Sequence, residues 1–225
     1  MNPLSPPLLA DPVARLLSHL GSGEARWMVA LAGLPGSGKS TLAAQLSEQV
    51  NRVAGADVML SLSMDGFHLP KAALRQMPDP QAAFARRGAP WTFDVAALAA
   101  RLQMLRERGE APVAWPAFEH EVGDPIEAAL LVSPETRLIL VEGLYLLQGS
   151  DGWDAVGETF DERWYLDTPL ELSLERLVAR HMKAWNIEES AAKARVASND
   201  SLNARIVQES RAHADWQLTP EEMPL

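Results

Sequence analysis

The chain has 225 residues, a formal net charge of −10 at pH 7 and 47% hydrophobic residues, which suits one globular domain covering 1–225. The acidic balance argues against a nucleic-acid partner, because binding a duplex requires a basic face on the protein. The sequence contains no cysteine, which excludes disulfides, thiolate metal sites and a cysteine nucleophile.

The distribution of apolar residues argues against a membrane protein. No apolar run in the sequence reaches the roughly 18 residues that a spanning helix requires. Residues 1–12 are interrupted by proline and lack the basic region of a signal peptide. These features predict a cytoplasmic protein without a membrane partner, whereas the oligomeric state stays open and a homodimer is compatible with the sequence.

The first part of the chain predicts alternating strands and helices. A short amphipathic helix over 11–20 leads into a buried strand over 27–33, and a helix over 39–53 follows with apolar residues at helical spacing. A second strand over 57–64 runs directly into the motif DGFH at 65–68. This motif is therefore expected at the carboxyl end of a strand, where open α/β sheets bind ligands.

The middle of the chain begins with a long segment, 69–93, that is interrupted by proline and predicts irregular structure. Loops of this length typically cover an active site or move. Asp94 is suited to cap a following helix that begins at Val95 and carries leucines along one face. A short strand over 112–115 comes next.

The last part of the chain continues the alternation. Buried strands are predicted over 138–147 and 162–167, helices over 170–184 and 188–211, and a short final strand over 214–218. Strands that alternate with helices predict an α/β fold, with a mainly parallel sheet covered on both faces.

The segment GLPGSGKS at 33–40 fits a phosphate-binding loop at every fixed position. Its glycines let backbone N–H groups surround phosphate oxygens, the next helix adds its positive N-terminus, and the lysine reaches the terminal phosphates. The preceding strand and following helix favour this function over a glycine-rich turn that binds nothing, and Ser40 would also hold Mg²⁺. The predicted ATP-binding residues are Gly33, Gly36, Ser37, Gly38, Lys39, Ser40 and Thr41.

Other residues must separate a kinase from a GTPase or an ATP-driven motor. The guanine-binding pattern Asn-Lys-x-Asp does not occur, and DAVG at 154–157 matches a switch motif only within a polar loop. A kinase needs a group that accepts the proton of the attacking hydroxyl. Asp65 is suited to that role, although an aspartate before glycine is also common turn chemistry.

The two residues after Asp65-Gly66 can serve either function or packing. An aromatic ring and an imidazole beside a carboxylate can position a small polar substrate, which makes Phe67 and His68 candidate substrate contacts. Core packing for Phe67 and an internal hydrogen bond for His68 are equally open.

Glu142 interrupts the apolar run at 138–147. Burial of a carboxylate costs several kcal/mol unless the group is paired, hydrated or bound to a metal. The strand end beside a phosphate loop is where Mg²⁺ or its water shell lies. We therefore predict that Glu142 and Ser40 hold the metal, with a partly exposed edge position as the alternative for Glu142.

Arg176, Arg180 and Lys183 form a basic stripe at helical spacing, away from the leucines of the same helix. Such a stripe can spread the charge of a transferring phosphoryl group. A solvated helix face paired with nearby glutamates explains it equally well. Thr168 is expected to cap this helix.

The order of these motifs resembles that of a known kinase family. GLPGSGKS, DGFH, VEG and the arginine-bearing helix occur as in the phosphate-loop kinases that include uridine kinase, pantothenate kinase and phosphoribulokinase. MDGFHLP, RRGAPWTFD, FEH, VEGLYLL, WYLDTP, RLVARH and NDSLNA resemble the nucleoside/nucleotide kinase-like branch once described as fructose transport system kinases. The resemblance spans most of the chain and implies a three-layer fold with a mainly parallel five-stranded sheet, an acceptor-side cover (69–93) and a helical lid (170–190).

The resemblance also implies roles for individual residues. Asp65 matches the proposed base of the family, and Glu142 matches the acidic residue of its strand-end V-E-G. Arg176 and Arg180 fall on the lid. The implied catalytic residues are Lys39, Asp65, Arg176 and Arg180, and the implied metal-binding residues are Ser40 and Glu142.

The acceptor side matches the family less closely. Arg87 matches a basic position in the cover, and His120 with Phe118 matches an aromatic-and-histidine segment of the acceptor pocket. Glu119 stands where the family has Asp, which leaves the contacts of that segment open. The implied substrate-binding residues are Asp65, Phe67, His68, Arg87 and His120.

Asn199, Asp200 and Asn203 match the family's N-D-x-x-N within a predicted helix. Asparagine is a poor helix former, so the cluster needs a reason. A lid hinge, a nucleotide contact and a simple helix break all stay open.

Together these observations predict transfer of the γ-phosphoryl group of ATP, with Mg²⁺, to a hydroxyl of a small metabolite. A nucleoside, a pantothenate-like molecule or a sugar would serve as acceptor. The alternative is a nucleotide-binding regulatory ATPase without a small-molecule acceptor. The sequence does not identify the acceptor, because the shape of its pocket depends on loops.

Overall fold

A parallel β-sheet forms the centre of the fold in the computed structural model, which describes residues 11–21, 26–107, 109–119 and 122–220. The strands are β1 (Trp27–Gly33), β2 (Met59–Ser63), β3 (Val113–Glu119), β4 (Asp124–Val132), β5 (Leu138–Glu142), β6 (Glu162–Leu166) and β7 (Trp216–Leu218). The five-stranded main sheet has the order β2-β5-β1-β6-β7 and is entirely parallel. β3 and β4 form a separate antiparallel pair. The predicted α/β fold with five parallel strands is confirmed.

Helices connect the strands of the main sheet. They are α1 (Pro12–Ser18), α2 (Lys39–Ala54), α3 (Lys71–Leu74), α4 (Pro80–Ala85), α5 (Val95–Glu107), α6 (Trp153–Gly157), α7 (Leu170–Trp185), α8 (Glu189–Arg195) and α9 (Ser201–Ser210). Short 3₁₀ helices lie at Met64–Phe67, Pro90–Thr92 and Arg211–His213, and a π-helical turn lies at Val196–Asp200. Within the described ranges, every helix is too short or too polar to cross a membrane.

The main sheet is covered on both faces, as its uninterrupted apolar strands require. Met28, Ala30 and Ala32 of β1 belong to one buried apolar cluster, to which α5 and α9 contribute. The alternate residues Val29 and Leu31 belong to the other, to which α2 contributes. Helices, sheet and helices therefore form the predicted three layers.

The register of the sheet brings three strand ends together. Glu142, the last residue of β5, pairs with Ser63 at the end of β2 and with Leu31 of β1. Because these strands are parallel, the chain leaves all of them at the same edge. The phosphate loop, the turn that carries Asp65 and the Glu142 carboxylate consequently meet there.

Several boundaries differ from the sequence-based expectations. The cover (69–93) contains α3, α4 and a 3₁₀ helix rather than irregular structure. The run at 138–147 stays extended only to Glu142, where the strand leaves the sheet. The predicted helix at 188–211 is interrupted by the π-helical turn, which no proline or glycine marks. β4 was not predicted, because most of its residues are exposed and show no alternation of burial.

Candidate active site

A cavity of about 320 Å³ opens at the carboxyl edge of the main sheet. The phosphate loop lines one part of it, Asp65 and Glu142 line another, and Arg176 and Arg180 of α7 complete the wall. Residues predicted to act on ATP, metal and acceptor hydroxyl are thus neighbours. The cavity residues contributed by the loop and the start of α2 are Pro35, Gly36, Gly38, Lys39, Ser40 and Thr41.

The phosphate loop has the conformation that its glycines allow. Gly36 and Gly38 have φ angles of +83° and +101°, which side chains disfavour. A Cβ atom at Gly36 would also overlap the carbonyl oxygen of Ser173 in α7. Lys39 begins α2, and its ammonium donates a hydrogen bond to the Leu34 carbonyl oxygen at 3.0 Å. The loop therefore leads directly into the N-terminus of α2, a position that suits an anion.

Glu142 and Lys39 form the buried charged centre of the cavity. Their residues are 8% and 7% exposed. Burial raises the pKa of Glu142; Lys39 lowers it, Asp65 raises it, and hydrogen bonds with Ser63 and Ser40 lower it. Burial also disfavours the charged form of Lys39 and so lowers its pKa, whereas the negative charges of Glu142 and Asp65 raise it. A buried carboxylate beside a serine hydroxyl supplies the oxygen ligands that Mg²⁺ prefers.

Asp65 lies in the 3₁₀ turn that directly follows β2. The Ser63 hydroxyl oxygen caps this turn by accepting a hydrogen bond from the Asp65 N–H at 3.2 Å. Gly66 fits closely against β3, since a Cβ atom there would overlap the carbonyl oxygen of Pro116. A local cap and a contact from a distant strand thereby direct Asp65 to the cavity.

The next two residues of the motif support the Asp65 turn. Phe67 is 5% exposed and belongs to the apolar core. The His68 Nδ1 atom lies 2.8 Å from the Asp65 carbonyl oxygen. The centroid of the His68 ring lies 4.0 Å from that of Phe93 and 4.6 Å from that of Phe118. Within the described part of the chain, neither Phe67 nor His68 borders the cavity.

Arg87 holds the cover to the β3–β4 pair. Its guanidinium donates hydrogen bonds to the carbonyl oxygens of Gly123 at 2.5 Å and Leu69 at 2.9 Å, and to the Asp124 carboxylate at 3.4 Å. These bonds assign the side chain a scaffolding role, and its predicted substrate contact stays a prediction. His120, the other predicted residue of this side, lies outside the described residues.

Helix α7 rests directly on the phosphate loop. The Ser37 carbonyl oxygen accepts hydrogen bonds from the Thr168 hydroxyl at 3.0 Å and the Arg176 guanidinium at 3.2 Å. The predicted cap is wrong, because Pro169 is the N-cap residue and no side chain caps the helix. Arg176 and Arg180 border the cavity and are both exposed, so charge stabilisation and a solvated face are both compatible with their position.

A hydrogen-bond network that was not predicted from the sequence lies behind the cover. The Asn199 amide donates to the Arg87 carbonyl oxygen at 3.0 Å, and the Asn203 amide donates to the Gly88 carbonyl oxygen at 3.2 Å. The Tyr145 hydroxyl donates to the same Gly88 oxygen at 2.6 Å. The signal in the sequence was the presence of two asparagines, which are poor helix formers, within a predicted helix.

Comparison with known proteins finds similarity to proteins named as kinases over most of this chain. A search with protein-family models finds no match. The Schizosaccharomyces pombe protein named "Putative uridine kinase" is 31% identical over 208 residues, which span 92% of this chain and 87% of that protein. The Aspergillus versicolor "ATP-dependent kinase-like protein notR'" is 39% identical over 152 residues, which span 66% of this chain and 88% of that protein.

A solved structure is similar over nearly the same extent. The "putative fructose transport system kinase" from Silicibacter sp. TM1040 is 32% identical, with a TM-score of 0.80. The match covers 92% of this chain and 98% of the other. The similarity therefore extends through the sheet, the cover and the lid.

Proposed function

This chain belongs to the family of P-loop ATP-dependent kinases that includes uridine kinase-like proteins, and we propose that it transfers the γ-phosphoryl group of ATP to a hydroxyl of a small metabolite. In such kinases, positioning and charge stabilisation supply most of the catalysis. The observation that carries the proposal is the single cavity in which Lys39, Asp65, Glu142 and Arg176 meet.

The phosphate side of the cavity would bind ATP. Lys39 and the loop amides would hold the terminal phosphates at the N-terminus of α2. Ser40 and Glu142 would hold Mg²⁺, which neutralises phosphate charge when bound. The donor set fits a hard cation, because both residues offer oxygen atoms, and Glu142 is already buried at the cavity wall.

The part of the cavity lined by Asp65 would act on the acceptor. Asp65 would accept the proton of the attacking hydroxyl, since it borders the same cavity as the phosphate loop. A hydroxyl held between Asp65 and the terminal phosphate would be positioned for attack. Arg176 and Arg180, on α7, would stabilise the charge that develops on the transferring group.

An acceptor panel tests this proposal. The name of one relative suggests a nucleoside, so the panel should include uridine, cytidine, pantothenate and several sugars, each assayed for ADP release with Mg²⁺ and ATP. We expect one chemical class to raise ADP release above the rate without acceptor. Lys39→Ala should abolish that increase, because it removes the cation that contacts the terminal phosphates.

The alternative, a regulatory ATPase without a small-molecule acceptor, predicts a different result. ADP release would then be the same with every member of the panel as without any acceptor. Asp65→Asn would also leave nucleotide turnover intact. Either outcome would contradict transfer to a metabolite hydroxyl.

A further inference from the structure

The lid and the cover are held by the same short segment of the chain. On the lid, the His181 Nε2 atom lies 2.8 Å from the Asp200 carboxylate, and the two side chains are 7% and 15% exposed. Trp185 stacks on the His181 ring with centroids 4.5 Å apart. The C-terminal half of α7 is thus fixed to the π-helical turn.

The same segment contacts the cover through the neighbouring residues. Asn199 and Asn203 are 5% and 3% exposed, and their amides bind carbonyl oxygens of the cover. In the opposite direction, Arg86 of the cover donates hydrogen bonds to the Asn203 side-chain oxygen at 3.1 Å and to the Ser198 carbonyl oxygen at 3.3 Å. These bonds run both ways, which fixes the cover in position and orientation.

The observed contacts show how one segment serves both partners. The Asn199 and Asn203 side chains bind the cover, and the Asp200 side chain binds His181 of α7. The N-terminal half of α7 contacts the phosphate loop through Arg176, and Thr168, which precedes the helix, binds the same Ser37 carbonyl oxygen.

We propose that Asp200 is a positioning residue that acts through His181 to hold α7, with Arg176 and Arg180, in register with the cover. The inference depends on the proposed function in one respect only, namely that the substrate faced by the cover is the phosphoryl acceptor. Nucleotide at the phosphate loop and order in the cover are then coupled, because α7 contacts the loop at one end and the shared segment at the other.

Amide hydrogen exchange tests this coupling without a known acceptor. The probe is Mg²⁺ with a nonhydrolysable ATP analogue, added to the full chain. In the unaltered protein, we expect the analogue to slow exchange in the phosphate loop and, by about fivefold or more, at 86–93. Asp200→Ala should still bind the analogue and protect the phosphate loop, with loss of the protection at 86–93.

Three further variants separate positioning from a general loss of structure. Asp200→Asn keeps an oxygen acceptor for His181 and should restore the protection. His181→Phe keeps a ring on Trp185 without the hydrogen bond, so it should behave as Asp200→Ala does, and it serves if that variant fails to fold. Glu189→Ala is the matched control, because it removes only an exposed pair with Lys193 on α8.

Two outcomes overturn the inference. One is full protection at 86–93 in Asp200→Ala or His181→Phe. The other is no protection at 86–93 in the unaltered protein when the analogue is present. Failure of the proposed function would give a different result. If the coupled protection is observed but no acceptor changes the rate of ADP release, the inference stands and the proposed acceptor chemistry is wrong.

Discussion

The phosphate side of the cavity and the proposed acceptor side, which comprises Asp65 and the cover (69–93), are built in different ways. On the phosphate side, Lys39 binds the carbonyl oxygen of Leu34, a neighbour within one loop. On the acceptor side, Gly88 is held by Asn203 and Tyr145, which are 115 and 57 residues away in sequence. A contiguous motif therefore encodes the phosphate loop, whereas the cover on the proposed acceptor side is held by residues distant in sequence.

Substitution of the proposed base should separate the two sides most strongly. Asp65→Asn keeps the size of the side chain but removes the proton acceptor, so we expect acceptor-dependent turnover to fall about 10²- to 10⁴-fold. Affinity for Mg²⁺ and the ATP analogue, measured by calorimetry, should persist. Unchanged turnover in this variant would show that the carboxylate is not the base.

Two glycines with left-handed backbones provide a matched comparison between the sides. Gly36→Ala should weaken nucleotide binding and lower stability by about 1–3 kcal/mol or more, because the new Cβ overlaps the Ser173 carbonyl oxygen. Gly88 has a φ of +100°, and a Cβ atom added there would lie 3.7 Å from the Asn203 amide nitrogen, an ordinary contact, so Gly88→Ala should show backbone strain alone. Chemical denaturation and calorimetry compare the variants, and equal losses would contradict the role of the α7 contact.

Glu142→Gln should raise the stability of the protein and weaken its binding of Mg²⁺ and nucleotide. Burial raises the pKa of Glu142 in the folded protein, so its charged form lowers stability above the unfolded-state pKa of about 4.3. The variant should unfold at a higher temperature at pH 7, where each kcal/mol corresponds to about 2–4 °C, and bind Mg²⁺ and nucleotide more weakly. The difference in unfolding temperature should shrink as the pH falls towards the ordinary glutamate range and the native carboxyl gains its proton. A lower unfolding temperature at pH 7 would refute this sign.

The smallest effect is expected from Tyr145→Phe on the acceptor side. The variant removes one of two hydrogen bonds to the Gly88 carbonyl oxygen, at a cost of about 0.5–1.5 kcal/mol. Burial raises the pKa of the Tyr145 phenol, so the hydroxyl is a neutral donor and the loss should not vary between pH 6 and about 9. Denaturant titrations at several pH values measure this loss of stability. An altered affinity for the ATP analogue would contradict the separation between the phosphate side and the acceptor side.

The parts of the site that were predictable depend on local pattern. Residues 33–40 carry their function in their own spacing, and the alternation of apolar strands and helices determined the layers. Glu142 could be noticed because a charge within an apolar run has a cost.

The remaining features depend on partners that the sequence does not reveal. The type of residue at Arg87 cannot show whether a guanidinium binds a substrate or the carbonyl oxygens of Leu69 and Gly123. The π-helical turn contains no proline or glycine, and its mark in the sequence is the pair of poor helix formers Asn199 and Asp200, which does not specify a change of helical register. Asn199 and Asn203 were visible as an anomaly, but their partners lie in the cover, more than a hundred residues earlier.

The close fit of Gly66 against Pro116 bears on how the protein is made. The contact between Gly66 and Pro116 can form only when β3, later in the chain, docks on the 3₁₀ turn, and closing such a loop is entropically unfavourable before the contact forms. The turn that carries Asp65 is therefore expected to become ordered only after β3 has been synthesised and has docked.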